Sequence, residues 1–130
     1  MQLHNTLKEI EMLFEITIPD SVQIKRKVMV QDGTVKTIGS MYSFNDLVDD
    51  MFDKDPSIVE RLEKNLFRAI ALRQRLTGSE ATPGKTVRLS AEEHEAICPT
   101  AKFPPIDVVI AYQSESLLRA IVDAKKIDEI

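Results

Sequence analysis

Residues 22–41 read VQIKRKVMVQDGTVKTIGSM, and this stretch decides the fold class. Two runs containing β-branched residues, 22–30 and 34–41, flank Gln31-Asp32-Gly33. Asp-Gly between such runs signals an antiparallel hairpin, because glycine tolerates the positive φ of a tight turn. The basic run Lys25-Arg26-Lys27 lies within the first strand.

Working upstream, Leu3, Leu7, Ile10 and Phe14 are spaced 4, 3, 4 and predict a helix over 3–14 with one apolar stripe. Met12 and Leu13 fall off that stripe, giving this helix more apolar surface than one contact uses. A strand-like stretch over 15–18 stops at Pro19-Asp20. Downstream, Ser43 is an N-cap for a helix over 44–53, and Asp55-Pro56 opens a long helix to about Leu76, closed by Gly78. Residues 78–85 hold Gly, Ser, Thr and Pro and are expected to form a flexible loop. An extended piece over 86–89 precedes the capping-box pair Ser90 and Glu93, which starts a helix to about Cys98, stopped by Pro99. Pro104-Pro105 precedes a last helix over 106–126. The expected fold is therefore α+β: one domain over 1–130, with a small antiparallel hairpin or three-stranded sheet covered by four or five helices.

Composition bounds the function classes. With 130 residues, 43% apolar and 29% charged, the chain matches a folded globular domain. Its net charge of −4 argues against a whole-molecule grip on nucleic acid, while leaving room for a local basic patch. Cys98 is the only cysteine, which excludes an intramolecular disulfide and favours a reducing compartment. The opening MQLHNTLKEIEM has early acids and no uninterrupted apolar stretch, so no secretory signal is expected, and no membrane span either. A cytoplasmic protein is expected.

Three motifs suggest ligands and fail, two on spacing and one on ligand number. Gly84-Lys85-Thr86 resembles the end of a phosphate loop, but Gly78 stands one position too early and the order of helix and strand is inverted. Asp53-Lys54-Asp55 resembles a calcium-loop opening, but Ile58 and Lys64 occupy the positions that need glycine and glutamate. His94 and Cys98 share a helical face but lack a third metal ligand, so the expected reading is a surface histidine beside a small buried thiol. No cofactor, metal or catalytic constellation is expected, and the chain is not expected to be an enzyme.

What remains is surface. In the 44–53 helix, Phe44, Leu47, Val48, Met51 and Phe52 form one face, with Asp46, Asp49, Asp50 and Asp53 opposite. Residues 44–55 carry five acids and one lysine, a net −4. The four carboxylates form either a solvated face or a contact for a basic partner. The long helix has Val59, Leu62, Leu66, Ala69, Ile70 and Leu76 as its core stripe. Arg61, Lys64, Arg68 and Arg75 fall on the opposite side, within about 60° of one another. Complementing the helix dipole explains these cations, and a phosphate or acidic-partner surface is the alternative. The last helix is apolar on more than one side: Leu117 and Ile121 lie on one and Leu118 elsewhere. Together with Leu13, Leu118 marks surplus apolar surface expected to meet a second copy or another protein.

Residues 66–122 have a distinct cadence: a charged helix ending Arg73-Gln74-Arg75-Leu76, a short loop, then Val87-Arg88-Leu89-Ser90-Ala91-Glu92-Glu93, a brief helix, a Pro-containing break and a Val-rich final helix. This resembles small accessory proteins of tailed bacteriophages, and the resemblance implies a role in binding other proteins. The expected function is non-enzymatic protein–protein interaction, as an assembly subunit, adaptor or inhibitor, with self-association as one form of it. The alternatives are a nucleic-acid-binding accessory protein using the basic helix face over 56–76, and an enzyme of unrecognised type.

Overall fold

A computed structural model describes residues 11–129 of the protein. The Asp-Gly turn forms as the sequence indicates. Gly33 takes φ +87°, and the Asp32 carboxylate accepts from the Thr34 backbone N–H at 2.9 Å and from its hydroxyl at 2.6 Å. On either side of this turn, β2 (Val22–Met29) and β3 (Val35–Tyr42) pair antiparallel, with Val22 opposite Tyr42 and Met29 opposite Val35.

A second, three-stranded antiparallel sheet has β1 (Glu11–Thr17) at its centre, between β4 (Thr86–Ser90) and β5 (Lys125–Glu129). This corrects two expectations. The helix read over 3–14 does not extend through residues 11–14, which are strand; residues 1–10 lie outside the described residues. Phe14 stands opposite Leu89 on one side and Lys126 on the other, and Ile16 opposite Val87. Pairing on both edges satisfies the β1 backbone groups, and its period-2 alternation places Ile16 and Ile18 in the core. The helix-like spacing of Leu7, Ile10 and Phe14 could not register those distant partners.

Six helices among the described residues cover this sheet and fill the space beside the hairpin. They are α1 (Phe44–Lys54), α2 (Ser57–Arg61), α3 (Leu66–Thr77), α4 (Ala91–Lys102), α5 (Val108–Gln113) and α6 (Glu115–Val122). The fold is α+β, with both the hairpin and the three-stranded sheet present. Ser43 caps α1 reciprocally with Asp46, and Ser90 caps α4 reciprocally with Glu93. Phe44, Leu47, Val48 and Met51 of α1 enter a core shared with Ile58, Leu62, Leu72, Leu76, Val87, Leu89, Ile97, Leu117 and Ile121.

The long helix expected from 56 to 76 is two helices. Glu63 and Lys64 adopt φ of 61° and 59°, the left-handed region. The Lys64 N–H reaches back to the Val59 carbonyl at 3.0 Å, and the Glu63 N–H to the Glu60 carbonyl at 3.2 Å. That pair of bonds is a Schellman stop, and it satisfies carbonyls the end of α2 would otherwise orphan. Asn65 then caps α3, its side chain accepting from the Arg68 N–H. The break rotates the apolar phase, so Leu72 is buried while Leu66 and Ile70, placed in the core stripe by a continuous helix, are exposed. Gly78 does close α3, with an extended φ of −81°. A Cβ there would lie 2.8 Å from the Gln74 carbonyl oxygen, which explains the need for glycine.

Two more boundaries move. Helix α4 runs through Pro99 to Lys102, because Ala96, Ile97, Thr100 and Ala101 on both sides of the proline are buried. The expected last helix, 106–126, divides at Ser114, whose buried hydroxyl donates to the Ile110 carbonyl at 2.7 Å, and its tail becomes β5. Leu117 and Ile121 of α6 enter the core, and α4 and α6 both pack on β1.

Candidate functional site

The surfaces singled out in the sequence are largely taken up by internal partners. On α1, Asp46 accepts from the Ser43 N–H at 2.9 Å. Asp49 accepts from Arg73 Nη2 at 2.9 Å, and Asp53 from Arg73 Nη1 at 2.8 Å. Asp50 accepts from the Tyr42 hydroxyl at 2.5 Å and pairs with Lys54 at 3.5 Å. Burial, and then the Asp50 carboxylate, push the Tyr42 hydroxyl well above its ordinary pKa. One arginine from α3 therefore joins two of the four carboxylates of α1.

The four cations do not share one helix. Arg61 lies on α2 and donates to the Ala96 carbonyl and the Thr100 hydroxyl, both at 2.9 Å. Lys64 sits in the break and is exposed. Arg68 and Arg75 lie on α3: Arg68 bonds Glu63 at 3.2 Å and also Glu92, while Arg75 bonds Glu93 at 2.7 Å and the Arg88 carbonyl. Leu13 is a half-buried residue of β1, on the sheet face opposite Phe14, and Leu118 is half-buried against the core.

The metal and nucleotide motifs are also accounted for. His94 is buried rather than on the surface, its Nε2–H donating to the Ile121 carbonyl at 2.8 Å and its ring stacked on Phe14 at 4.1 Å. Cys98 is half-buried. Asp55 accepts from Thr100 Oγ1 at 2.6 Å and from the Ser57 N–H at 2.9 Å. Burial works to raise the Asp55 pKa, but those bonds and the Arg61 charge outweigh it and hold the carboxyl below its ordinary value. No group of three His, Cys, Asp or Glu among the described residues is placed to hold a metal. The Gly84 N–H bonds the Ile18 carbonyl at 2.9 Å, so it does not face a phosphate. No helix among the described residues is long and apolar enough to cross a membrane.

A surface little used by the fold is the β2–β3 hairpin. Its base, Val22 and Tyr42, packs on the core, and Ile24 is buried. Beyond that point every residue from 31 to 41 is exposed. Met29 is 76% exposed, and Val35 and Met41 63% each. Even-numbered β2 residues, with Ile24 among them, face the body, so Lys25, Lys27 and Met29 face outward together with their partners Gly39, Thr37 and Val35. Residues 22–42 carry Lys25, Arg26, Lys27 and Lys36 against Asp32, a net +3, which leaves −7 on the rest of the chain. Among the described residues the side chains of these four cations have no ion-pair partner. Sequence reading placed Lys25-Arg26-Lys27 in the first strand but took its candidate cations from the helix, because pairing along α3 has no signature in the order of residues.

One edge of the arm is anchored. The Lys25 N–H donates to Gln113 Oε1 at 2.8 Å, and Gln113 Nε2 donates to the Lys25 carbonyl at 3.0 Å. The amide of α5 stands where a neighbouring strand would. Lys25 therefore points both backbone groups away from β3, and so does its cross-strand partner Gly39 away from β2. The Val30 N–H bond to the Thr34 carbonyl sets the same alternation. It follows that Val35, Thr37, Gly39 and Met41 aim their N–H and C=O groups at the outer edge of β3, where no strand pairs among the described residues. Beside β2, Lys25, Arg26, Lys27 and Val28 share a shallow cleft with Asp107 and Val109.

No protein-family model matches the chain, and no curated protein or solved structure matches it.

Proposed function

We propose that the protein works without catalysis, by binding another protein as an assembly subunit, adaptor or inhibitor, and that the β2–β3 arm is its contact surface. The observation that carries this reading is the coincidence, on one element, of exposed Met29, Val35 and Met41 with four cations whose side chains have no ion-pair partner among the described residues. Apolar side chains on an exposed arm leave most of their surface in water and gain about 25 cal/mol for each Å² covered by a partner. The resemblance of residues 66–122 to bacteriophage accessory proteins is in keeping with a binding role. Nucleic acid is less well supported. The helix cations Arg61, Arg68 and Arg75 are engaged internally, and phosphates would use the arm's cations but leave its apolar residues uncovered.

Capture from a lysate of the source cell tests the reading, comparing wild type with the arm variant Met29→Ser/Val35→Thr/Met41→Ser. Phe67→Ser, at an exposed position on α3, serves as control. A protein bound by wild type and by Phe67→Ser but lost by the arm variant is expected. Equal capture by all three would remove the arm from the binding surface.

A further inference from the structure

We infer that the arm binds by strand addition: the open edge of β3 accepts an extended, acidic and apolar segment of a partner protein as a third strand. This rests on the arm being the contact surface, and it specifies how the contact is made. An unpaired edge is a ready template for another strand, and natural proteins usually blunt such edges with proline, a bulge or a covering element. Here β3 has no proline, pairs with β2 in unbroken register from Val35 to Tyr42, and is exposed along almost its whole length. Its sister edge on β2 is the one occupied, by the Gln113 amide at Lys25. The outward N–H and C=O groups of Val35, Thr37, Gly39 and Met41 supply the ladder, and alternate side chains supply selectivity.

Charge chooses the occupant. The outer face sets Lys25 and Lys27 beside Met29, Val35 and Met41. Successive strand residues face opposite ways, so a segment that interleaves acidic and apolar residues at every second position would set both kinds on this one face, against the lysines and against the methionines and valine. A second copy of the arm would bring +3 against +3, and like charges across paired strands are destabilising. The acidic remainder of the molecule, at −7, would also steer away strongly acidic partners that miss the arm.

The probe is a fluorescent peptide of about ten residues, with glutamate and valine taking turns at every second position and threonine between them, long enough to span β3, titrated by anisotropy against the protein. Saturable binding is expected, with a lysine–valine peptide of the same length failing to bind. N-methylation of alternate peptide amides, which removes ladder donors but keeps charge, should abolish binding. Thr37→Pro should do the same, since it removes an outward N–H and leaves the β2–β3 ladder intact. Lys25→Glu/Lys27→Glu should weaken binding about tenfold or more. If Thr37→Pro does not fold by circular dichroism, the N-methylated peptide on wild type still decides the matter. Binding that survives N-methylation would reduce the contact to charge attraction and overturn strand addition. Tighter, steeply salt-dependent binding of duplex DNA would overturn it in favour of nucleic acid, and arm-dependent dimerisation would overturn it in favour of a second copy. No peptide binding, with lysate capture still lost in the arm variant, would sink strand addition alone and leave the arm as the surface.

Discussion

Replacing Lys64 with glycine should make the protein more stable. Lys64 holds φ 59° next to Glu63 at 61°. In that region a side chain's Cβ crowds the following carbonyl, at about 1–2 kcal/mol per residue. Glycine removes the crowding but returns about 0.5–1 kcal/mol through the greater freedom of the unfolded chain. Lys64 makes no ion pair among the described residues, so no Coulombic loss offsets the gain. The net expectation is a gain of about 0.5 kcal/mol, with Lys64→Gly exceeding Lys64→Ala by a similar amount because alanine keeps the Cβ. A continuous helix through position 64 predicts the opposite order, with glycine about 1 kcal/mol worse than alanine. Urea unfolding followed by circular dichroism on the three proteins separates the two by sign. If Lys64→Ala proves more stable than Lys64→Gly, the Schellman stop between α2 and α3 is wrong.

Other consequences are equally direct. Arg73→Met leaves Asp49 and Asp53 without their shared counter-charge and should cost about 1 kcal/mol in denaturant unfolding, after allowing for solvent screening of a partly exposed group; an unchanged midpoint would mean these carboxylates are simply solvated. Thr100→Val removes the hydroxyl joining Arg61 to Asp55 and should cost about 1–2 kcal/mol at neutral pH. Because Asp55 is held below 3.8 in the folded state, its share of that difference is present above pH 3.8 and fades as pH falls through the lower folded value; a gap that stays constant on acidification contradicts the assignment. Gln113→Ala removes the acceptor of the Lys25 N–H together with the donor to its carbonyl and should speed amide exchange at Lys25 about tenfold, whereas unchanged protection would mean α5 does not hold the arm.

The parts of the fold legible in the sequence are those specified by neighbours in the chain. The Asp32-Gly33 turn, the amphipathic face of α1 and the two capping boxes depend on residues within a few positions of each other. The parts missed depend on partners far along the chain. Strand β5, Lys125–Glu129, has one apolar residue, Ile127, and exists because β1 offers it an edge. The break at Glu63-Lys64 carries no glycine or proline, though Asn65, a favoured N-cap residue, was an available signal for a new helix. The surfaces followed the same division. Asp49 and Arg73 each looked like a free surface charge when read on its own helix, and only packing of α1 on α3 joins them. The arm emerged by difference, once Asp49, Asp53, Arg61, Arg68 and Arg75 had found partners.

Photo-crosslinking in the source cell puts the arm to the most direct test. A photoreactive residue is introduced singly at Thr37, Ile38 or Met41 on β3, and at Asp53, Lys64 or Phe67 on the helical side, all of them exposed. If the arm is the contact surface, the three β3 positions crosslink to a common protein partner and the three helical positions do not. Crosslinks confined to the helical positions, or β3 positions that crosslink only to nucleic acid, would contradict it.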